Sequence, residues 1–397
     1  MNLHESEILK IARSIDKQQI TWRRHFHQYP ELSNLEYETT SFLRKELARL
    51  GLRLLPLPMK TGVLAELVGN HTGPTVAIRS DIDALPIIEQ NQLRFSSRHT
   101  GVMHACGHDV HMATVLGVAA VTALLRKQFK GTIRFIFQPA EEMPPGGARP
   151  MIENGALKKV DLILGLHVDP HVPVGKIGLR DGVTMASVYD FDLVVRGRAG
   201  HAARPHLAVD AIATAAELIE AIQKIVSRET DPTDPVVITF GQICGGTARN
   251  VVADTVRIEG TARALSERAF RRVPQLIRRT ASGLARARGA SIEMLQIASY
   301  PVLRNDAAAN QLLEDSFAAL FGKGKIVTTE PVLGGEDFAC YLEHVPGAMF
   351  RLGVKNRKLK SDQPWHSPLF MVDEDAMVYG TAVLANAAMT FLRKRAG

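Results

Sequence analysis

Three short apolar runs in the first half of the chain each lead directly into residues able to bind metal or move protons. Thr75 to Arg79 leads into Ser80-Asp81-Ile82-Asp83, Thr132 to Phe137 into Gln138-Pro139-Ala140-Glu141-Glu142, and Leu162 to Leu166 into His167. Runs this short, rich in β-branched and aromatic residues, read as buried strands rather than helices. Met112 to Lys127, rich in Ala, Val and Leu, reads as a helix between them. Strands alternating with helices predict an α/β fold: a mostly parallel sheet with helices on both faces. In such sheets, active sites collect outside the carboxyl ends of the strands.

Upstream, Leu9 to Leu50 has helical spacing with a break at Tyr29-Pro30 and a stop at Gly51. The pattern changes near Ser187, where Tyr189, Phe191, Leu193 and Val195 alternate with Asp190, Asp192 and Val194, giving a strand with one wet face. A helix (Val209 to Arg228), two strands (Val236 to Ile243 and Thr255 to Ala262), a helix to Arg288 and a strand (Ser291 to Ile297) follow. The order βαββαβ is a compact two-layer α+β unit of ferredoxin-like type. Pro274 is expected to end the first turn of the second helix or to kink it. After Tyr300-Pro301 the α/β style returns, ending in a helix from Asp375 to Arg393. A chain of 397 residues, 46% of them hydrophobic, exceeds one comfortable core. The expected organisation is one domain, 1–186 and 299–397, interrupted by an inserted domain, 187–298.

The net charge of +7 comes from 48 basic and 41 acidic residues spread over the whole length, unlike the concentrated stripe of a nucleic-acid binder. The densest basic run, Arg268 to Arg288, is interleaved with Val273, Leu276, Ile277 and Leu284 and reads as the wet face of a helix. The three cysteines, Cys106, Cys244 and Cys340, make no disulfide framework. Met1 to Lys17 lacks a signal-peptide core, and no apolar stretch is long enough for a membrane span, so a cytoplasmic protein without membrane or nucleic-acid partners is expected. Neither a phosphate-cradling glycine loop nor a serine-nucleophile motif is found.

The densest polar cluster is His104-Ala105-Cys106-Gly107-His108-Asp109-Val110-His111. Thiolate and imidazole are good donors for zinc and its neighbours, and a tight loop through Gly107 would aim Cys106 and His108 at one point. Alone, the segment also fits a buried free cysteine beside surface histidines. Glu141-Glu142, His167 and His366 each have an ordinary reading too, as solvated or structural residues. Their arrival at the ends of separate strands, or in the rigid Pro364-Trp365-His366-Ser367-Pro368 loop, favours a common site.

The chain resembles the M20 metallopeptidase family, in its amidohydrolase branch: hippurate hydrolases, N-acyl-amino-acid amidohydrolases and plant indole-acetic-acid-conjugate hydrolases. The matching segments run in family order across nearly the whole chain. They are Arg24-His25-Phe26-His27 with Pro30-Glu31-Leu32, Ser80 to Pro86, His104 to His111, Gln138 to Glu142 and Gly165-Leu166-His167. Gly197 to His206, Asn250 to Asp254, Gly334 to Phe338 and His366-Ser367-Pro368 complete the set.

The resemblance implies two divalent metal ions per subunit (Zn, Mn, Co or Ni) held by Cys106, His108, Glu142, His167 and His366, with Cys106 bridging. It implies Glu141 as general base, attack by a water between the ions, and His201, from the inserted domain, reaching a neighbouring subunit's site. Asn250 falls in a substrate-facing lid motif, and Asp83 and Asp109 are candidates for orienting histidines. The first domain would then be the metal-binding catalytic one and the insert a lid and dimerisation domain, in a homodimer acting on a small N-acyl amino acid. The alternatives are an M20-type dipeptidase or aminopeptidase, and a non-catalytic metal-binding regulatory module. Three departures bear on pocket shape: Asp169-Pro170 where the family often has Trp after Leu-His-Val, Ala253 in place of Pro, and Trp365 before the last histidine.

Overall fold

A computed structural model describes residues 3–395; residues 1–2 and 396–397 of the expected first domain lie outside the described residues. The chain divides into two compact units, Met1–Gly182 with Arg304–Glu330 and Cys340–Gly397, and Val183–Leu303 with Pro331–Ala339.

The first unit is built on an eight-stranded sheet. Its strands are β1 (Arg53–Leu54), β2 (Val63–Val68), β3 (Thr75–Asp81), β4 (Thr132–Gln138), β5 (Leu162–Pro173), β6 (Ile177–Leu179), β15 (Ile326–Thr328) and β16 (Gly347–Lys355), in the order β1-β2-β4-β3-β5-β16-β6-β15. The central strands β4, β3, β5 and β16 run parallel. Antiparallel pairs flank them at β1–β2, β2–β4 and β16–β6. All seven residues of β3 are buried. Because successive side chains point to opposite faces, both faces of the sheet are covered there. The helices are α1 (Leu3–Ser14), α2 (Asp16–Gln28), α3 (Tyr37–Arg49), α4 (His108–Leu124), α5 (Ala148–Glu153), α8 (Ala307–Phe321) and α10 (Ala376–Arg395), with the single turn α9 (Ala339–Leu342) at a unit boundary. Helix α4, buried along nearly its whole length, packs on α2, α10 and β3.

The structure moves several expected boundaries. The helical N-terminal region breaks at Ile15 as well as at Tyr29-Pro30, and α3 begins only at Tyr37. Helix α4 starts at His108, inside the polar cluster, rather than at Met112. His167 does not end its strand, because β16 continues to pair with β5 past it, through Arg351↔His167 to Gly353↔Asp169.

The second unit carries a four-stranded antiparallel sheet of β8 (Ser187–Arg196), β10 (Val236–Gly245), β12 (Thr255–Ala264) and β13 (Ser291–Tyr300), in the order β10-β12-β8-β13. Helices α6 (Ala211–Lys224) and α7 (Glu267–Arg288) pack on it, giving βαββαβ. A ribbon of β9 (Gly200–His201) and β11 (Val251–Val252) is added, and the short strands β7 (Gly182–Met185) and β14 (Leu303–Asn305) fall at unit boundaries. Helix α7 is capped by the Ser266 hydroxyl, which accepts from the Ala269 N–H, and ends at Gly289 with φ of 65°. It runs through Pro274 without ending. Burial of Ala269, Val273, Leu276, Ile277 and Ala281 offsets the lost hydrogen bond, while the arginines keep to the other side.

Phe135, fully buried at the middle of β4, anchors the core of the first unit. Phe135→Ala is expected to lower the unfolding free energy by about 3–5 kcal/mol in urea denaturation. A loss under about 1 kcal/mol would contradict the packing described.

Candidate metal centre

The sheet register brings the sequence-predicted residues together. In the β3–β5 ladder Arg79 pairs with Gly165, so Asp81 and His167 lie two residues further on, at the level where Asp81 pairs with Gln138 of β4. Glu141 and Glu142 follow in the turn after β4, and Cys106 and His108 sit at the N-terminus of α4. That terminus turns on Gly107, whose φ is 88°. A Cβ there would stand 2.4 Å from Val168 Cγ2, so the tight approach of Cys106 and His108 to β5 requires glycine. His366, with φ of 63°, is tied into the cluster by its N–H, which donates to the Ala105 carbonyl at 2.9 Å.

Donor atoms of Cys106, His108 and His167 lie within 4.8 Å of one another, as do those of Cys106, Glu142 and His366. Cys106 is thus common to two donor sets. A third set joins Glu141 to His108 and Glu142. Cys106 Sγ lies 3.6 Å from His167 Nε2, and His366 Nε2 lies 3.3 Å from Glu142 Oε1. His108 Nε2 and Glu142 Oε1 are buried, 3.8 Å apart, and make no well-aligned hydrogen bond. Such orphaned polar atoms are costly unless something fills the gap.

The electrostatics point the same way. Burial disfavours a charged His108, yet Asp81, Asp83 and Glu142 outweigh it and push this imidazole up to about 10. Burial, reinforced by Glu142 and Glu141, drives the Cys106 thiol well up. The Glu142 carboxylate, 3.3 Å away, raises His366. Burial, with His111 and Arg351 nearby, keeps His167 neutral. The pocket therefore gathers buried carboxylates that favour positive charge beside them. Thiolate, imidazole and carboxylate in such a pocket fit a borderline transition-metal cation.

Supporting residues fix these groups. Asp83 accepts from the Glu142 N–H at 2.9 Å and the Ser33 hydroxyl at 2.7 Å, and lies 3.3 Å from His108 Nδ1. His111 bonds to Asp81 at 2.6 Å and accepts from the Val168 N–H at 3.0 Å, pinning the backbone beside His167. The sequence reading gave Asp81 and His111 no such roles, although both stand in its motifs. Asp109 follows His108 directly in the chain, but its carboxylate is engaged elsewhere. It binds His27 at 2.8 Å and Arg23 at 2.9 Å. The tryptophan absent after Val168 has a counterpart in Trp365, whose indole donates to the Val168 carbonyl at 3.0 Å and stands 5.9 Å from the His167 ring. In the second unit His201 and Asn250 lie at neighbouring strand ends and are exposed. The Ala202 N–H donates to the Asn250 carbonyl, and the Ala203 N–H donates to His201 Nδ1. Residues 77–390 match the model of the family described as Peptidase family M20/M25/M40.

The chain belongs to this family.

Among its relatives is an N-acetyl-L-cysteine deacetylase of Bacillus subtilis, 41% identical over 96% of this chain and 89% of the relative. Another, an N-acyl-L-amino acid amidohydrolase of Geobacillus stearothermophilus, is 43% identical over 76% of this chain and 82% of the relative. A solved Bacillus subtilis protein, described as a dinuclear metal binding peptidase from the M20 family, superposes with a TM-score of 0.82 at 38% identity, covering 96% of this chain and 99% of that one.

His27 is fully buried between two carboxylates. Burial and Arg23 oppose its charge, but hydrogen bonds to Asp109 and Glu89 prevail and raise its pKa above 6.5. The stability it contributes is complete below that ordinary value and lost as pH rises through the raised one. His27→Gln is expected to depress the melting temperature more at about pH 6 than at about pH 9. Equal depression at both would contradict a charged His27.

Proposed function

We propose that this M20 protein is a binuclear metal-dependent amidohydrolase that cleaves the amide bond of N-acyl amino acids. The observation that carries the reading is the sharing of Cys106 by two donor sets with Glu141 beside them. In the proposal, Cys106, His108, Glu142, His167 and His366 hold two divalent cations. The chemistry such a pair supplies is Lewis acidity, which brings the pKa of a coordinated water toward neutrality and draws charge from the scissile carbonyl.

The chain's own groups do the rest. Glu141 takes a proton from the attacking water and delivers it to the leaving amine, so its carboxylate must face the donor cluster. Asp83 keeps the His108 ring oriented, and the Asp81–His111 pair steadies the backbone that carries His167. Trp365 walls the approach to His167 and restricts what enters.

The first unit is proposed as the catalytic domain and the second as a lid and dimerisation domain. His201 would reach the partner's site to stabilise the developing oxyanion, and Asn250 would face substrate. The exposure of both side chains supports this, as do the exposed Ile243, Leu295 and Ile297 on the two edge strands of the second unit's sheet. No described helix is long and apolar enough to cross a membrane. A cytoplasmic location is proposed, in keeping with the free thiol of Cys106.

Glu141→Gln is expected to keep its metal complement by elemental analysis while turnover of N-acetyl amino acids falls by about 100-fold or more. Near-normal turnover would reject Glu141 as base. Prolonged chelation is expected to abolish hydrolysis, with recovery on adding zinc, manganese, cobalt or nickel. Activity that survives complete metal removal would reject the metal mechanism. A free dipeptide assayed alongside, if cleaved in preference, would favour a peptidase.

A further inference from the structure

Glu36 is completely buried, at 0% exposure, and stands outside every motif quoted above. It occupies the N-cap position of α3, where a carboxylate would ordinarily accept from the first free N–H groups of its own helix. Its side chain makes no such bond. Glu31 caps the helix instead, accepting from the Glu38 and Thr39 N–H groups at 3.1 and 2.8 Å. Glu36 is thereby released to turn inward, and its Oε1 accepts from the Ala140 N–H at 2.8 Å.

Ala140 is a non-glycine residue held at φ of 52°, immediately before Glu141. This left-handed conformation costs about 1 kcal/mol or more, and persists only where the surroundings enforce it. On the other side of Glu141, the Glu142 N–H is held by Asp83. The turn carrying Glu141 is thus clamped on both sides by buried carboxylates from other segments. The second Glu36 oxygen, Oε2, is buried without a well-aligned hydrogen bond, and burial pushes the carboxyl up to about 7 although Thr61 lies beside it.

Resting on the reading of Glu141 as general base, we infer that Glu36 is a positioning residue that fixes the left-handed Ala140 turn and so aims Glu141 at the reacting water. Asp83 separately secures Glu142, so the two carboxylates divide the work: Asp83 serves metal retention and Glu36 serves proton transfer. What Glu36 provides is an acceptor oxygen, which an uncharged amide also offers.

The test compares Glu36→Ala and Glu36→Gln in the metal-loaded protein, measuring kcat, KM, bound metal and melting temperature. Glu36→Ala is expected to lower kcat by about 10- to 100-fold, the scale of a displaced catalytic group, with KM and metal complement near wild type. Glu36→Gln is expected to restore most of the lost kcat. Wild-type kcat in folded Glu36→Ala overturns the role, as does metal loss in step with activity. Glu36→Gln as impaired as Glu36→Ala also overturns it. An active wild type with an unaffected alanine variant refutes positioning alone. A wild type inactive on every N-acyl amino acid refutes the functional reading and this role with it.

Discussion

The Asp83 carboxylate, buried just past the end of β3, is the joint on which the metal centre depends. One oxygen accepts from both the Glu142 N–H and the Ser33 hydroxyl, the other lies against His108, and the Asp83 carbonyl approaches His108 Nδ1 at 2.9 Å. Four segments distant in sequence meet there: the end of β3, the start of α4, the turn after β4 and the loop between α2 and α3. Burial alone would raise its pKa, yet the His108 contact prevails and lowers it. An ionised carboxylate so enclosed tolerates little displacement of its partners, which makes the geometry around it rigid.

The polar machinery is rigid because the apolar frame is. Parallel β4, β3, β5 and β16 bring polar termini to one level, and the buried α4 presents His108 from its first residue. Gly107 permits the close approach, and Glu36, Ser33 and Glu31 make the α2–α3 loop a supporting wall. The candidate metal ligands lie nearest the centre, with the acidic and imidazole groups that contact them behind, an arrangement that leaves them little freedom to rearrange.

Much of this was legible in the sequence where one physical signal dominated. The largely apolar runs of β3 and β4 announced themselves, as did the alternating β8 and the amphipathic α7. The full length of β5 was hidden because Asp169-Pro170 reads as a break. Pairing with β16 carries the strand through, with a register shift between Gly353 and Lys355. At Pro274, read as an end of the first turn or a kink, the helix does not end, since packing of one helix face outweighs the local rule. The five candidate ligands were read from motif resemblance, and the structure gathers them through register. Glu36 was invisible because it falls inside a stretch, Leu9 to Leu50, whose spacing reads as helix, where a glutamate looks like part of a wet face. Only the contact to Ala140 reveals its use. Asp109 was expected to orient histidines, and it does bind one, His27, outside the donor set.

The account stands on a thiolate shared by two cations. Titrating metal-free protein with cobalt(II) while recording the near-ultraviolet spectrum tests it directly. The account predicts a thiolate-to-cobalt charge-transfer band that saturates at about two equivalents and disappears in Cys106→Ser. Saturation at a single equivalent, or a band that survives loss of Cys106, would contradict it.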